Sequence, residues 1–328
     1  LKLVKRVERL LAAGLLLAAS ACCGCLASGY RTKPRIAVAH CDPVVQIAPS
    51  ARFRSSSDPR RVPLGAHSHP PAATDRVLGL EVGGDALAYP IGLLDRVEVI
   101  DDRAAGRSWV VARCALTRVA AVYDRSLDGR VLTFENSGAL WRDTLVLRDR
   151  ETGTYWSAAT GLALFGPLAG RRLEPVAATY TTAEAWRRAF PATRYADLGL
   201  PTSVPFSMQL YGASPWLGLS GVKTQDRRHP AKREFLSVAA GDVALAFTPE
   251  EIRRRGSARA MLGGRSISIE WDSDRQFPRA WVLSDPARQE LAVVPMYWFA
   301  LVRHFETVRL LPPADPGERD LGGANRER

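Results

Sequence analysis

Cysteine is scarce in this chain, with five in 328 residues. Three of them, Cys22, Cys23 and Cys25, crowd one stretch near the N-terminus. Only Cys41 and Cys114 remain for the body, too few for a disulfide scaffold or a paired-cysteine metal knuckle. In an oxidising compartment these two can pair; the other arrangement is two separate thiols, with Cys114 buried as a small apolar side chain. A glycine-rich phosphate loop and a nucleophile elbow are also missing. So is any basic run interleaved with stacking aromatics, which argues against a nucleic-acid partner.

What is present begins with an address. Lys2, Lys5, Arg6 and Arg9 form a basic head, and Leu10 to Ala21 is apolar and ends in small residues. That apolar run is about a dozen residues, short of the roughly 20 that span a bilayer, and has the shape of a secretory signal. The cut falls within Ala18-Ala19-Ser20-Ala21-Cys22. A cysteine directly after small residues resembles the bacterial lipobox, which makes Cys22 the expected lipidation site and the membrane a partner through a lipid anchor. Plain secretion with loss of Cys22, and a retained anchor, are the alternatives. The expected location is the periplasm or the outer face of the cell envelope, membrane-tethered. A net charge of +11 suits a protein held near anionic headgroups.

Composition is that of a folded protein, 46% hydrophobic and 24% charged. Residues 22–75 read as a tether and lead-in segment, with loop chemistry at Ser55-Ser56-Ser57-Asp58-Pro59 and His69-Pro70-Pro71. From Arg76 the pattern becomes β. Val77 to Val82, a Gly83-Gly84-Asp85 turn and Ala86 to Tyr89 form a hairpin. Strands around Val97 to Ile100, Ser108 to Ala112 and Val119 to Tyr123 continue a meander. Val131 to Leu173 is dense in glycine and reads as a β-hairpin with a packed tryptophan. Thr181-Thr182-Ala183-Glu184 is a capping box, so a short helix runs to about Phe190. Residues 198–230 carry no clear period and read as a connector.

The first pattern then returns. Phe235 to Val238, a Gly241-Asp242 turn and Ala244 to Phe247 repeat the opening hairpin, with Ala246 standing 158 residues after Ala88. Thr248-Pro249-Glu250-Glu251 starts a helix, with proline at its first position. The expected fold is α+β and mainly β: antiparallel meanders with a few short helices, as two related β units packed as one body. The units are residues 76–197 and a shorter 231–311 that lacks most of the Val131 to Leu173 region. Two unrelated β segments sharing a hairpin pattern are the alternative. Residues 312–328 read as a disordered tail.

At these residues a resemblance emerges. Gly84 to Pro90, Glu98, Asp101-Asp102, Cys114, Ser137-Gly138, Trp156-Ser157, Gly166 to Gly170 and Tyr297 to Ala300 together resemble the bacterial family catalogued as domain of unknown function 3179. The resemblance spans about Val77 to Leu310 and implies an architecture more than a chemistry. Two departures matter. Members typically show His-Glu-Ile-Val-Asn-Asp where this chain has Val97-Glu98-Val99-Ile100-Asp101-Asp102. They carry Tyr-Cys-Pro-Leu-Cys where it has Arg113-Cys114-Ala115-Leu116-Thr117. A thiol pair at that spacing can cycle through a disulfide or bind a soft metal; one thiol without its partners can do neither in the same way.

The candidate motif site is therefore Cys114 with Glu98 and Asp102, the two carboxylates sharing a face if they lie on one strand. No catalytic residue, metal ligand or cofactor is assigned. His67-Ser68-His69 can offer two imidazoles, but in a proline-flanked loop. Trp109, Trp141, Trp156 and Trp186 can line a sugar-type groove, although such spacing more often marks a core. The expected function is a non-catalytic binding or scaffold role in the envelope, with an unknown envelope partner or small ligand. The alternative is a thiol- or metal-dependent redox protein whose site is partly lost.

Overall fold

The computed structural model describes residues 31–32, 42–219, 226–283 and 288–312. Cys22, Cys41, the segment expected to be a signal and residues 313–328 lie outside the described residues. Within them the fold is mainly β, built from antiparallel sheets with a few short helices. Five sheets of four to six strands form a propeller-like arrangement. No helix among the described residues is long and apolar enough to cross a membrane.

Sheet I orders Thr179–Thr182, Arg76–Val82, Asp85–Pro90, Arg194–Asp197 and Arg60–Val62. Sheet II orders Ser55–Ser57, Val99–Ala104, Arg107–Cys114 and Val119–Asp124. Sheet III runs from Arg31–Thr32 and Val44–Gln46 through Phe134–Trp141 and Thr144–Asp149 to Tyr155–Ser157 and Ala163–Phe165. Sheet IV orders Val294–Tyr297, Glu234–Ala240, Val243–Phe247 and Thr307–Leu310, and sheet V is the meander Ser257–Leu262, Arg265–Asp272, Phe277–Leu283, Arg288–Leu291.

Strand alternation sorts these side chains into two main cores. Leu78, Tyr89, Ile100, Val122, Leu236, Phe247, Ile269 and Ala280 bring sheets I, II, IV and V to one of them. Val110, Val119, Leu147, Trp156, Met296 and Phe299 bring sheets II, III and IV to the other. The outer face of sheet I is covered by the helix Ala183–Ala189. Thr182 caps it by accepting the Ala185 N–H at 3.2 Å, and its Trp186 ring lies where a Cβ on Gly79 would stand 2.5 Å away. Glycine is required there by the closeness of the indole.

Sheets I and II repeat their register in sheets IV and V. Leu78 faces Tyr89 as Leu236 faces Phe247, and Cys114 faces Val119 as Asp272 faces Phe277, each pair 158 residues on. The closing strands repeat too, at a displacement of 115. Thr182 pairs with Arg76 as Tyr297 with Glu234, and Tyr195 runs parallel beside Ala88 as Leu310 beside Ala246. The helices Ala183–Ala189 and Trp298–His304 keep that displacement. The change in displacement falls across the last four strands of sheet III.

Three segments differ from the sequence reading. In the lead-in, Ser55–Ser57, read as loop, is a strand of sheet II, and Val44–Gln46 and Arg60–Val62 join sheets III and I. Val131 to Leu173 is more than a hairpin, since the polar strand Phe134–Trp141 opens a four-strand run bent at Gly138, whose φ is +74°. The connector holds a helix, Phe206–Ala213. Trp109, Trp141, Trp156 and Trp186 are all buried in the cores and line no groove.

Candidate functional site

Cys114 ends the strand Arg107–Cys114 and opens a four-residue turn to Val119. It is a free thiol, 1% exposed. Burial pushes the thiol above its ordinary pKa, and Glu98 nearby pushes the same way. Hydrogen bonds from Thr117 and Leu145 offset part of this. The flanking arginines do not help ionise it. Arg113 turns to the other face of the strand, where it meets Asp95 at 2.8 Å and the Arg118 carbonyl at 2.8 Å. Arg118 donates to the Tyr297 hydroxyl at 3.0 Å. The thiol is therefore neutral at physiological pH and a poor nucleophile.

A buried relay of hydroxyls leads away from this turn. Thr144 bonds the Thr117 hydroxyl at 3.1 Å and stands 2.7 Å from His304 Nε2. With the single Thr144 proton on Thr117, Nε2–H donates to Thr144 and His304 Nδ1 is left as an acceptor; Nδ1 has no partner among the described residues. Burial, then Arg142 and Arg303, hold this imidazole well below its ordinary pKa. Thiol and imidazole are both neutral, so the ion pair that activates a catalytic cysteine is not formed. Sequence reasoning missed His304, because a lone histidine at the end of the Trp298–His304 helix carries no motif.

The connector seals the site. The Tyr211 hydroxyl donates to the Leu116 carbonyl at 3.0 Å and accepts the Gly218 N–H at 3.0 Å. The Leu219 N–H reaches Asp143 at 2.8 Å, and Arg303 pairs with the same carboxylate. Lys232 lies 3.6 Å from the centre of the Tyr211 ring and donates to the Ser214 carbonyl at 2.9 Å. Burial, with Arg118 beside it, lowers that ammonium to about 8. Arg142 and Asp143, both at positive φ, form the tight turn that brings Thr144 over the cysteine.

The two carboxylates part company. Glu98 precedes its strand and turns toward sheet III, where the Asn136 amide donates to it at 2.6 Å. Its pKa rises to about 7, first through burial and then through Asp95. Asp102 turns the other way, toward sheet I. It accepts the Tyr89 hydroxyl at 2.7 Å and pairs with Arg61 of the lead-in strand. The shared face expected for Glu98 and Asp102 is thus overturned, because strand alternation begins only at Val99. Asp101, opposite in parity, accepts the Phe134 N–H at 2.8 Å and is raised to about 7 by burial. So Glu98 belongs with Cys114, and Asp102 is an anchor for residues 60–62.

His67 is a clip. Its Nε2 lies 3.1 Å from the Ala196 carbonyl and its Nδ1 accepts the His69 N–H at 3.0 Å. Among the described residues no three His, Cys, Asp or Glu side chains converge as a metal site. A crevice of about 430 Å³ opens beside the motif, with Val97 and Ser55 in its lining.

The family model described as a protein of unknown function, DUF3179, matches residues 55–307. That is most of the chain, and the chain belongs to this family. Neither a curated protein nor a solved structure matches it.

Proposed function

We propose that this DUF3179 protein is a non-catalytic binding or scaffold protein of the bacterial cell envelope, tethered to the membrane through a lipidated Cys22. One observation carries the non-catalytic part: the motif thiol of Cys114 is neutral and sealed, with Thr117 at the position of its partner cysteine. A threonine hydroxyl neither forms a disulfide nor serves as a soft-metal ligand. The shared registers support reading the body as two related β units packed as one, the second lacking a counterpart of sheet III. The basic head, the short apolar run and Ala19-Ser20-Ala21-Cys22 support the tether.

Two measurements test the reading. Cys114 in the folded protein should react with a thiol reagent only at the rate of unfolding or local opening. Fast labelling with an apparent pKa well below that of a free thiol would restore the redox alternative. Cys22→Ser should release the protein from the membrane fraction, unless Cys23 substitutes. An unmodified N-terminus elsewhere in the native protein would rule the tether out.

A further inference from the structure

We propose that the crevice beside the motif binds a small amphipathic oxyanion, a carboxylate or phosphate head on a short apolar body. The inference rests on the binding role proposed above and names the ligand class. The crevice volume, about 430 Å³, falls within the range of small-molecule sites.

Its walls come from the lead-in, sheet III, the connector and Val97 just ahead of the motif strand. Residues 50–56 belong to the lead-in, Glu135 and Arg150 to sheet III and a turn between its strands, and Leu198 and Leu200 to the connector. The lead-in and sheet III meet beside Glu98. Ser55 accepts the Asn136 N–H at 2.9 Å, and the Asn136 side chain holds Glu98. Surface segments held by a rigid scaffold are where binding residues concentrate.

The lining divides by chemistry. Phe53, Val97, Leu198 and Leu200 offer an apolar wall for a few carbons. Arg54 has no side-chain partner among the described residues. Arg150 spends its Nε on Glu135 at 3.1 Å, which leaves both terminal nitrogens to donate. Glu135 is already engaged by Arg148 and Arg150, so its charge is offset. Two guanidinium forks beside a partly apolar wall match a carboxylate or phosphate better than a cation or a neutral sugar.

Titration calorimetry on the full-length purified protein tests this with hexanoate, hexyl phosphate and inorganic phosphate as probes. One saturable site is expected for at least one of the two amphipathic probes, with inorganic phosphate weaker. The tighter of the two identifies the head group. Arg54→Glu should weaken binding about tenfold or more, and Leu200→Asp should weaken the amphipathic probes most. Both residues border the crevice from surface segments, and Arg309→Glu, at an exposed position of sheet IV outside the crevice lining, serves as the unchanged control. Absence of saturable binding by either amphipathic probe below about 10 mM, or binding unaltered by Arg54→Glu, overturns the proposal. Such a failure leaves the inert-thiol reading intact, since that stands or falls on Cys114 labelling.

Discussion

The turn at Cys114 and the turn at Asp272 occupy the same place in the two repeated registers. Each residue ends a long strand and opens a four-residue turn whose last residue has positive φ, Arg118 at 65° and Gln276 at 50°. At Asp272 a carboxylate accepts the N–H groups of Asp274 at 3.0 Å and Arg275 at 2.9 Å. At Cys114 sulfur takes the equivalent bond from Thr117. The position needs an acceptor, and either chemistry supplies one. What separates the two is cover. Asp272 sits near the surface with Arg275 and Arg279 as ion partners, whereas sheet III and the connector close over Cys114. The motif cysteine is therefore a turn cap that sheet III and the connector bury.

Exchanging the two residues breaks the comparison most sharply. Cys114→Asp places a carboxylate beside Glu98 with no cation facing it, and should cost on the order of 3–5 kcal/mol. The reciprocal Asp272→Cys loses two ion partners at a wetter site and should cost about 1 kcal/mol. Urea denaturation of both variants checks the asymmetry. Equal costs would mean that cover does not set the chemistry of the turn.

The second effect concerns protons. Glu98 and Asp101 are raised to about 7 in the fold, above their unfolded values. The native state then binds more protons than the unfolded chain between roughly pH 4 and 7. Their contribution is most favourable at acidic pH and is lost as pH rises through 7. Glu98→Gln should remove its share, roughly 2 kcal/mol of the loss between pH 5 and 8. Thermal melts at both pH values test this, and an unchanged slope in Glu98→Gln would show that the carboxylate is solvated.

What the sequence made legible was local. The hairpins at Arg76–Pro90 and Glu234–Phe247 announce themselves by alternation around a glycine turn, and Thr182 and Thr248 announce their helices as caps. The strand Phe134–Trp141 did not, because Glu135-Asn136-Ser137-Gly138 breaks the alternation and one of its partners, Val44–Gln46, lies far back in the chain. The helix Phe206–Ala213 has no charged residue and one buried side chain, Tyr211, so it shows no amphipathic stripe. The site suffered the same way. Glu98 and Cys114 were named from a motif, but Thr144, Tyr211 and His304 reach the turn from sheet III, the connector and the last helix. No spacing rule links segments brought together only by packing.

The smallest expected effect separates packing from chemistry at the cysteine itself. Cys114→Ala removes one buried sulfur and a weak acceptor, and should cost about 1 kcal/mol, with no change in the fold. Tyr211→Ala instead removes the ring and hydroxyl that fasten the connector over Leu116 and Gly218. That opening should raise the labelling rate of Cys114 severalfold. Loss of cover also relieves the burial that pushes the thiol up, so its apparent pKa should fall toward that of an ordinary thiol. It should not fall below it, because Arg113 remains on the opposite face with Asp95 and Arg118 remains on Tyr297. A rate that rises while the pKa stays at or above the free-thiol value identifies the connector as a lid over an inert cap. A pKa well below that value would mean that the uncovered turn still holds an activating cation, and the likeness to the Asp272 turn would fail.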